Sequence, residues 1–270
     1  MKKLLLLTIS FLFLWVSNSV AEPLPKHIWE FGTEISHIKY EEPGIMEDKG
    51  MMYGLSGSYT FHDGIMFNGE ARLSFGQVDY ESSETGSIDN IDDYIFEIRG
   101  VLGYDFTVAE TSSRTSILSP YIGFGYRYLN DDSSGMTSTT GARGYERESN
   151  YYYSPLGLWI NTIYEKWSFG LMIEYDIFWY GLQKSHLSDA VAGINDVEND
   201  QDEGYGLRGS FKIVRKFMKR SLVIEPFVRY WNIEKSDVSP VTTTSGYIIG
   251  RGWEPDNEST EVGIKIAIRF

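Results

Sequence analysis

The dominant regularity in the chain is a period of two. Trp167, Phe169, Leu171, Ile173, Tyr175, Ile177 and Trp179 are all apolar, and between them run Ser168, Gly170, Met172, Glu174, Asp176, Phe178 and Tyr180. Seven apolar residues at spacing two predict a strand, because a helix would scatter them around its axis. The same alternation recurs at 51–61, 65–75, 94–106, 205–213 and 262–270. Ten strands are read, at 28–40, 50–61, 65–78, 94–107, 117–129, 149–161, 167–182, 204–214, 222–233 and 260–270. Eight or twelve remain open, because Pro120, Pro155 and Pro226 interrupt three of the ladders.

The apolar face carries aromatics at both ends of the strands, while the opposite face is charged or glycine. A soluble sandwich would bury the apolar face and wet the other. A transmembrane barrel turns the apolar face to lipid between aromatic girdles and keeps the polar face inside. Closure also satisfies every backbone group, which an open sheet in lipid cannot do. The predicted fold class is all-β, an antiparallel up-and-down transmembrane β-barrel. Connections alternate accordingly. Short or intermediate ones fall at 62–64, 108–116, 164–166 and 215–221; long ones fall at 41–49, 79–93, 130–148, 183–203 and 234–259. The long ones are expected outside the cell and both termini in the periplasm.

The N-terminus agrees with export. Lys2 and Lys3 precede an apolar run at 4–16, and Ser19-Val20-Ala21 supplies the small residues of a cleavage site. This predicts a secretory signal peptide at 1–21 and a single mature domain at 22–270. At its other end the chain resembles bacterial outer-membrane β-barrel proteins. Val262, Ile264, Ile266, Ile268 and Phe270 alternate with Glu261, Gly263, Lys265, Ala267 and Arg269, and the strand ends in Phe. That resemblance implies the outer membrane of a Gram-negative-type bacterium, and an assembly machinery that reads Phe270 as its signal.

Composition narrows the chemistry. The chain has 270 residues, 41 of them aromatic (19 Tyr, 15 Phe, 7 Trp), with 27 Gly, no Cys and a net charge of −14. The acidic balance excludes a nucleic-acid groove. Absence of Cys removes disulfides and thiolate chemistry. The four His, at 27, 37, 62 and 186, are too scattered for a zinc helix of the HExxH kind.

Most acids fall in the long loops. The inward positions hold nine acids, Glu30, Glu34, Glu70, Glu97, Asp105, Glu174, Asp176, Glu225 and Glu261. They also hold eight bases, Arg72, Arg99, Arg127, Arg208, Lys212, Arg229, Lys265 and Arg269. Near-balance predicts paired ions filling a closed lumen, with inward glycines making room for long basic stems. A selectivity filter would instead show a ring of one sign. Arg215, Lys216, Lys219 and Arg220 cluster at one periplasmic turn, where inner-leaflet headgroups or solvent would receive them.

Asp196, Glu198, Asp200 and Asp202 recur at spacing two, like the start of an EF-hand loop, although its glycine and distal Glu are missing. They are the candidate Ca²⁺ or Mg²⁺ ligands, against a solvated acidic loop; no other cofactor is expected. The Ser/Thr/Gly-rich segment 133–144 is expected to be mobile. Ten-stranded barrels include the omptin-like proteases, whose sites combine an acid pair with an Asp–His pair at the rim. The pairs to consider are Asp92-Asp93 or Asp131-Asp132 with His186 and Asp189, or His37 with Asp79. Barrel lipid-A deacylases use a His–Ser pair; here Ser185 and His186 are adjacent but would face opposite ways. No catalytic residue is assigned. The expected role is structural, or interaction at the cell surface, including with lipopolysaccharide. The alternatives are a narrow cation-preferring porin and an omptin-like or lipid-modifying rim hydrolase.

Overall fold

The computed structural model describes residues 24–270; the leader expected at 1–21 lies outside them. The first strands are β1 (His27–Glu42), β2 (Met46–Asp63), β3 (Ile65–Ser82) and β4 (Gly86–Tyr104), with β4 continued by β5 (Phe106–Glu110). Then follow β6 (Arg114–Asp132), β7 (Glu146–Tyr164) and β8 (Trp167–Ser185). A single helical turn, α1 (Leu187–Ala190), precedes β9 (Val197–Gln201), which leads into β10 (Gly204–Phe217) and β11 (Arg220–Ile233). A small hairpin, β12 (Ser239–Thr242) and β13 (Ile248–Gly252), stands before the last strand, β14 (Asn257–Arg269). Ten of these close an antiparallel barrel, each pairing with its sequence neighbour. Closure comes from β14, where Lys265 is in register with Glu225 of β11 on one side and Glu34 of β1 on the other.

Period-two alternation sets which way each residue faces. On β1, Trp29, Phe31 and Ile35 are exposed, whereas Glu30, Glu34 and Ser36 between them are buried. Apolar-out, charged-in is the inverse of a water-soluble sheet and is the arrangement a lipid belt requires. The ladder runs through Pro120, Pro155 and Pro226, which face Leu158, Asp176 and Ile264. The bulge in β7–β8 comes instead between Tyr152 and Tyr153.

The strands outrun the apolar belt. Segments 41–49 and 79–93, expected as long loops, are tight hairpins in which β1 passes to β2 and β3 to β4 through three-residue turns. Alternation simply continues there with polar residues facing out: Lys39, Glu47 and Lys49 cross-link outside, while Tyr40 and Asp48 are buried inside. Segment 133–144, expected to be mobile, is hydrogen-bonded to the tip of the β3–β4 hairpin. Thr139 N donates to Ser87 O at 3.0 Å and Thr140 Oγ1 to Thr85 O at 2.8 Å. At the other end the basic turn folds onto the lower aromatic girdle. Arg215 lies 4.5 Å from the Trp167 ring and Arg220 lies 5.0 Å from the Phe270 ring.

Inside, two inward glycines receive tyrosines rather than basic stems. A Cβ at Gly125 would overlap the Tyr153 ring, and one at Gly157 the Tyr121 ring. Consecutive inward positions stack three layers. On β4 they run Asp93, Ile95, Glu97 from rim to centre, and on β6 Asp131, Leu129, Arg127. The middle, apolar layer holds Ile38, Met52, Ile95 and Leu129 beside Tyr151, Tyr153, Phe178, Trp231 and Ile233, while Val78 and Ile91 carry the apolar cluster up past Asp93 toward the rim.

Candidate functional site

Charged side chains converge on the barrel axis below the apolar layer. Arg72 on β3 reaches Glu97 Oε2 at 2.7 Å and Glu261 Oε2 at 3.0 Å. Arg208 on β10 reaches Asp176 Oδ2 at 2.6 Å and both oxygens of Glu97. Arg99 pairs with Glu174 and lies 3.7 Å from Glu70; Arg229 bridges Glu34 at 3.1 Å and Glu261 at 3.2 Å. Tyr153 and Tyr121 donate to Glu97 at 2.6 Å and Glu174 at 2.7 Å. Arg127 lies 5.7 Å from the Tyr151 ring and 6.0 Å from the Trp231 ring. Nearer the end that carries the short turns, Lys265 contacts Glu225 at 2.7 Å and Glu30 at 3.2 Å, with Lys212 on both carboxylates and Arg269 on Glu30. A cavity of about 110 Å³ opens there. Asp105 sits at the short-turn end of the barrel between His62 Nδ1 (2.7 Å) and Ser119 Oγ (2.5 Å). Because Asp105 stands between them, Ser119 has no base of its own and the trio is not a nucleophilic triad.

Above the apolar layer the charge is one-sided. Glu42, Asp48, Asp93, Asp131 and Glu254 face inward at the rim, with Arg147 as the base among them. Arg147 binds Glu42 Oε1 at 2.9 Å and Asp48 Oδ2 at 3.0 Å, lies 3.9 Å from Asp131 Oδ1, and covers the Tyr40 ring at 5.4 Å. The Tyr40 hydroxyl donates to Glu254 Oε1 at 3.2 Å. Oδ1 of both Asp48 and Asp93 is sealed from solvent and has no hydrogen-bond partner among the described residues. A pocket of about 20 Å³, one water in size, lies among Asp48, Asp93, Asp131 and Arg147. A larger chamber of about 360 Å³ lies outside it, lined by Glu42, Tyr80, Asp131, Tyr145, Arg147 and Glu254 among others.

These groups stand outside the apolar belt, level with exposed Lys49 and Asp92. Burial pushes the Asp48 carboxyl up to about 8, with Arg147 opposing and Asp131 and Glu42 reinforcing. Burial lifts Glu254 to about 7, and burial raises Asp93 and Asp131 as well, Asp93 with help from both neighbouring aspartates. Carboxyls held close together and away from water share protons near neutral pH and attract cations.

The residues singled out for hydrolysis do not assemble. Asp93 and Asp131 face each other across β4 and β6 inside the barrel, whereas Asp92 and Asp132 face out. His186 is on the outer wall, with Nε2 3.0 Å from Glu148 Oε1 and 3.9 Å from Glu146 Oε2, and Nδ1 3.2 Å from Asp196. The β7 backbone separates it from the interior carboxylates. His37 and Asp79 lie on β1 and β3 with β2 between them. Ser185 precedes His186 at the end of β8, and Asp189 accepts from the Glu146 N–H at 3.3 Å.

Nor do the four acids of the EF-hand-like run converge. Glu198 and Asp200 lie on the outer face of β9, where alternate residues stand about 7 Å apart in a row. Asp200 accepts from Tyr180 and Asp202 is exposed beyond the strand end, while Asp196 turns to His186. An extended strand cannot wrap an ion as a coiled loop does, so these four do not form one shell.

The rim residues Glu42, Asp48, Arg147 and Glu254 escape a reading that treats them as loop. The signal is there in Ile38, Tyr40, Glu42 and in Met46, Asp48, which carry the alternation past the belt.

No family model matches the chain, and no curated protein matches it. Among solved structures, the chain is similar to the Escherichia coli outer membrane protease OmpT, with a TM-score of 0.54 at 6% identity over 92% of this chain and 97% of that one. The transport unit of the E. coli autotransporter AIDA-I aligns over 92% of each chain at 11% identity and a TM-score of 0.36. The Pseudomonas putida toluene transporter TodX aligns over 90% and 89% at 10% identity and a TM-score of 0.35. The fold is that of the bacterial outer-membrane β-barrels.

Proposed function

We propose that this chain is an exported, integral outer-membrane protein whose barrel is closed to solutes and whose acidic rim binds cationic groups at the cell surface. One observation carries the reading. The Arg72–Glu97–Arg208 cluster joins β3, β4 and β10 across the axis, and each of these side chains is nearly sealed from water. A porin needs a hydrated path lined by one sign of charge; here both signs meet in mid-lumen. The rim above carries five carboxylates around Arg147, which favours amines, guanidinium groups or metal ions as ligands. Divalent cations would also let the acidic exterior lie against lipopolysaccharide phosphates, which it would otherwise repel. A hydrolase reading has less support, because His186 and the interior carboxylates are on opposite faces of β7. Solute entry into liposomes carrying the refolded protein tests the closed barrel: sugars should permeate no faster than through empty liposomes. Permeation at porin-like rates would replace this reading with the narrow-pore one.

A further inference from the structure

We propose that Glu146, Glu148 and His186 form a binding site for one divalent transition cation of the Zn²⁺ class on the outer wall of the rim. Asp196 is the residue that positions the imidazole.

Strand geometry makes the site. Alternation along β7 sends Arg147 into the chamber and Glu146 and Glu148 out together on one face. Its partner β8 ends at Ser185, in register with Arg147, so the next residue falls level with Glu146; His186 N donates to Glu146 O at 2.9 Å. His186 Nε2 then lies 3.0 Å from Glu148 Oε1 and 3.9 Å from Glu146 Oε2. The three prospective ligand atoms lie within 4.8 Å of one another. Ligands about a tetrahedral ion at roughly 2.0–2.1 Å stand some 3.3 Å apart, so small side-chain movements close the shell.

Three of the atoms that face away from this point are engaged. His186 Nδ1 is held by Asp196 Oδ2 at 3.2 Å. Asp196 Oδ1 in turn accepts from Ser188 Oγ at 2.7 Å and Ser188 N at 3.3 Å. Glu146 Oε1 accepts from Asn130 Nδ2 at 2.7 Å. A carboxylate on the far nitrogen fixes the tautomer that presents the Nε2 lone pair, as outer-shell carboxylates do for metal-binding histidines.

Charge favours a dication over a proton. Glu146, Glu148, Asp189 and Asp196 surround one imidazole. The flanking bases are Lys184, opposite Glu148 across β7 and β8, and Arg143, engaged with the Ala190 carbonyl. An imidazolium leaves this group net acidic; a divalent ion brings it close to neutral. Nitrogen ligation selects a Zn²⁺-like ion over Ca²⁺ or Mg²⁺, which prefer all-oxygen shells. The half-buried ligands leave one side open for water.

The test is Zn²⁺ titration by calorimetry of tag-free, refolded protein in detergent, with folding of each variant checked by its unboiled gel mobility. One equivalent should bind at pH 7.5. His186→Ala should weaken that equivalent more than 100-fold and Glu148→Gln at least tenfold. Asp196→Asn should weaken it roughly 10–100-fold, with Asp196→Glu recovering part of the loss, a rescue that general disruption of the loop would not allow. The absorption of Co²⁺ bound in the same place should change in His186→Ala. Three results each overturn the proposal: no Zn²⁺ equivalent in the wild type, unchanged affinity in folded His186→Ala, or Ca²⁺ competing as well as Zn²⁺.

Discussion

Arg208 and Glu97 start from well-separated walls of the barrel, β10 and β4, and meet on its axis through two guanidinium nitrogens and both carboxylate oxygens. The carboxylate also holds Arg72, and the guanidinium also holds Asp176. Neither residue can be removed without stranding a charge in a dry interior. Arg208→Met should therefore cost about 3–5 kcal/mol of folding stability, read as a lower urea midpoint in detergent. Arg208→Met with Asp176→Leu should recover part of that loss, because one of the carboxylates that Arg208 neutralises is removed too. Equal stability of Arg208→Met and wild type would show that the cluster is not dry.

Topology gives a second expectation. Cysteines placed at exposed Ser134 and Ser245 should react with a membrane-impermeant maleimide on intact cells. Those at Ser113 and Met218, on the turns at the opposite end, should react only after the outer membrane is permeabilised. Reaction of Ser113→Cys on intact cells would invert the barrel.

The rim carboxylates set a pH dependence. Asp48 and Glu254 titrate near 8 and 7 in the folded chain, above their ordinary values near 4. Between those limits the folded state binds more protons than the unfolded one, so their contribution to stability falls as pH rises. It is complete below about pH 4 and is lost through pH 8. The urea midpoint should accordingly drop between pH 5 and pH 8.5, and Asp48→Asn should flatten the drop. The part removed by Asp48→Asn should exceed about 1.4 kcal/mol, the equivalent of one pKa unit. A slope unchanged in Asp48→Asn would mean that Asp48 is ionised throughout.

Much of this architecture is legible in the chain because lipid imposes a strict period on it. Trp167 to Tyr180 declares one strand by itself, and the same rule sets Glu34, Arg72 and Arg229 on the lumen side. The rule fails where the lipid ends. Beyond Ile38 and Met51 the outward residues turn polar, so continuous strand reads as loop, and Asp48 and Arg147 vanish into it. Partner choice is less legible still. Register, not spacing, brings Glu146 beside His186, forty residues away, and Asp196 beside His186. The even spacing of Asp196, Glu198, Asp200 and Asp202 suggests a coil around an ion, but β9 sets Glu198 and Asp200 in a row and leaves Asp196 and Asp202 beyond its two ends.

Phe270 closes the barrel's lower seam. Its N–H donates to Trp29 O at 2.9 Å, its ring lies 6.4 Å from Phe31, and Arg220 covers it. Deleting it should reduce the heat-modifiable folded band in cells and raise the protease-sensitive periplasmic fraction. Less than a twofold change would remove this residue from the assembly signal.

The closed lumen is the central claim, and single-channel recording in planar bilayers tests it most directly. Wild-type protein, inserted from detergent in 1 M KCl, should give no steady conductance above that of detergent alone. Arg72→Ala with Arg208→Ala, if it folds, should open a cation-preferring leak through the stranded Glu97 and Glu261. A large, stable conductance from the unmodified protein would contradict the account.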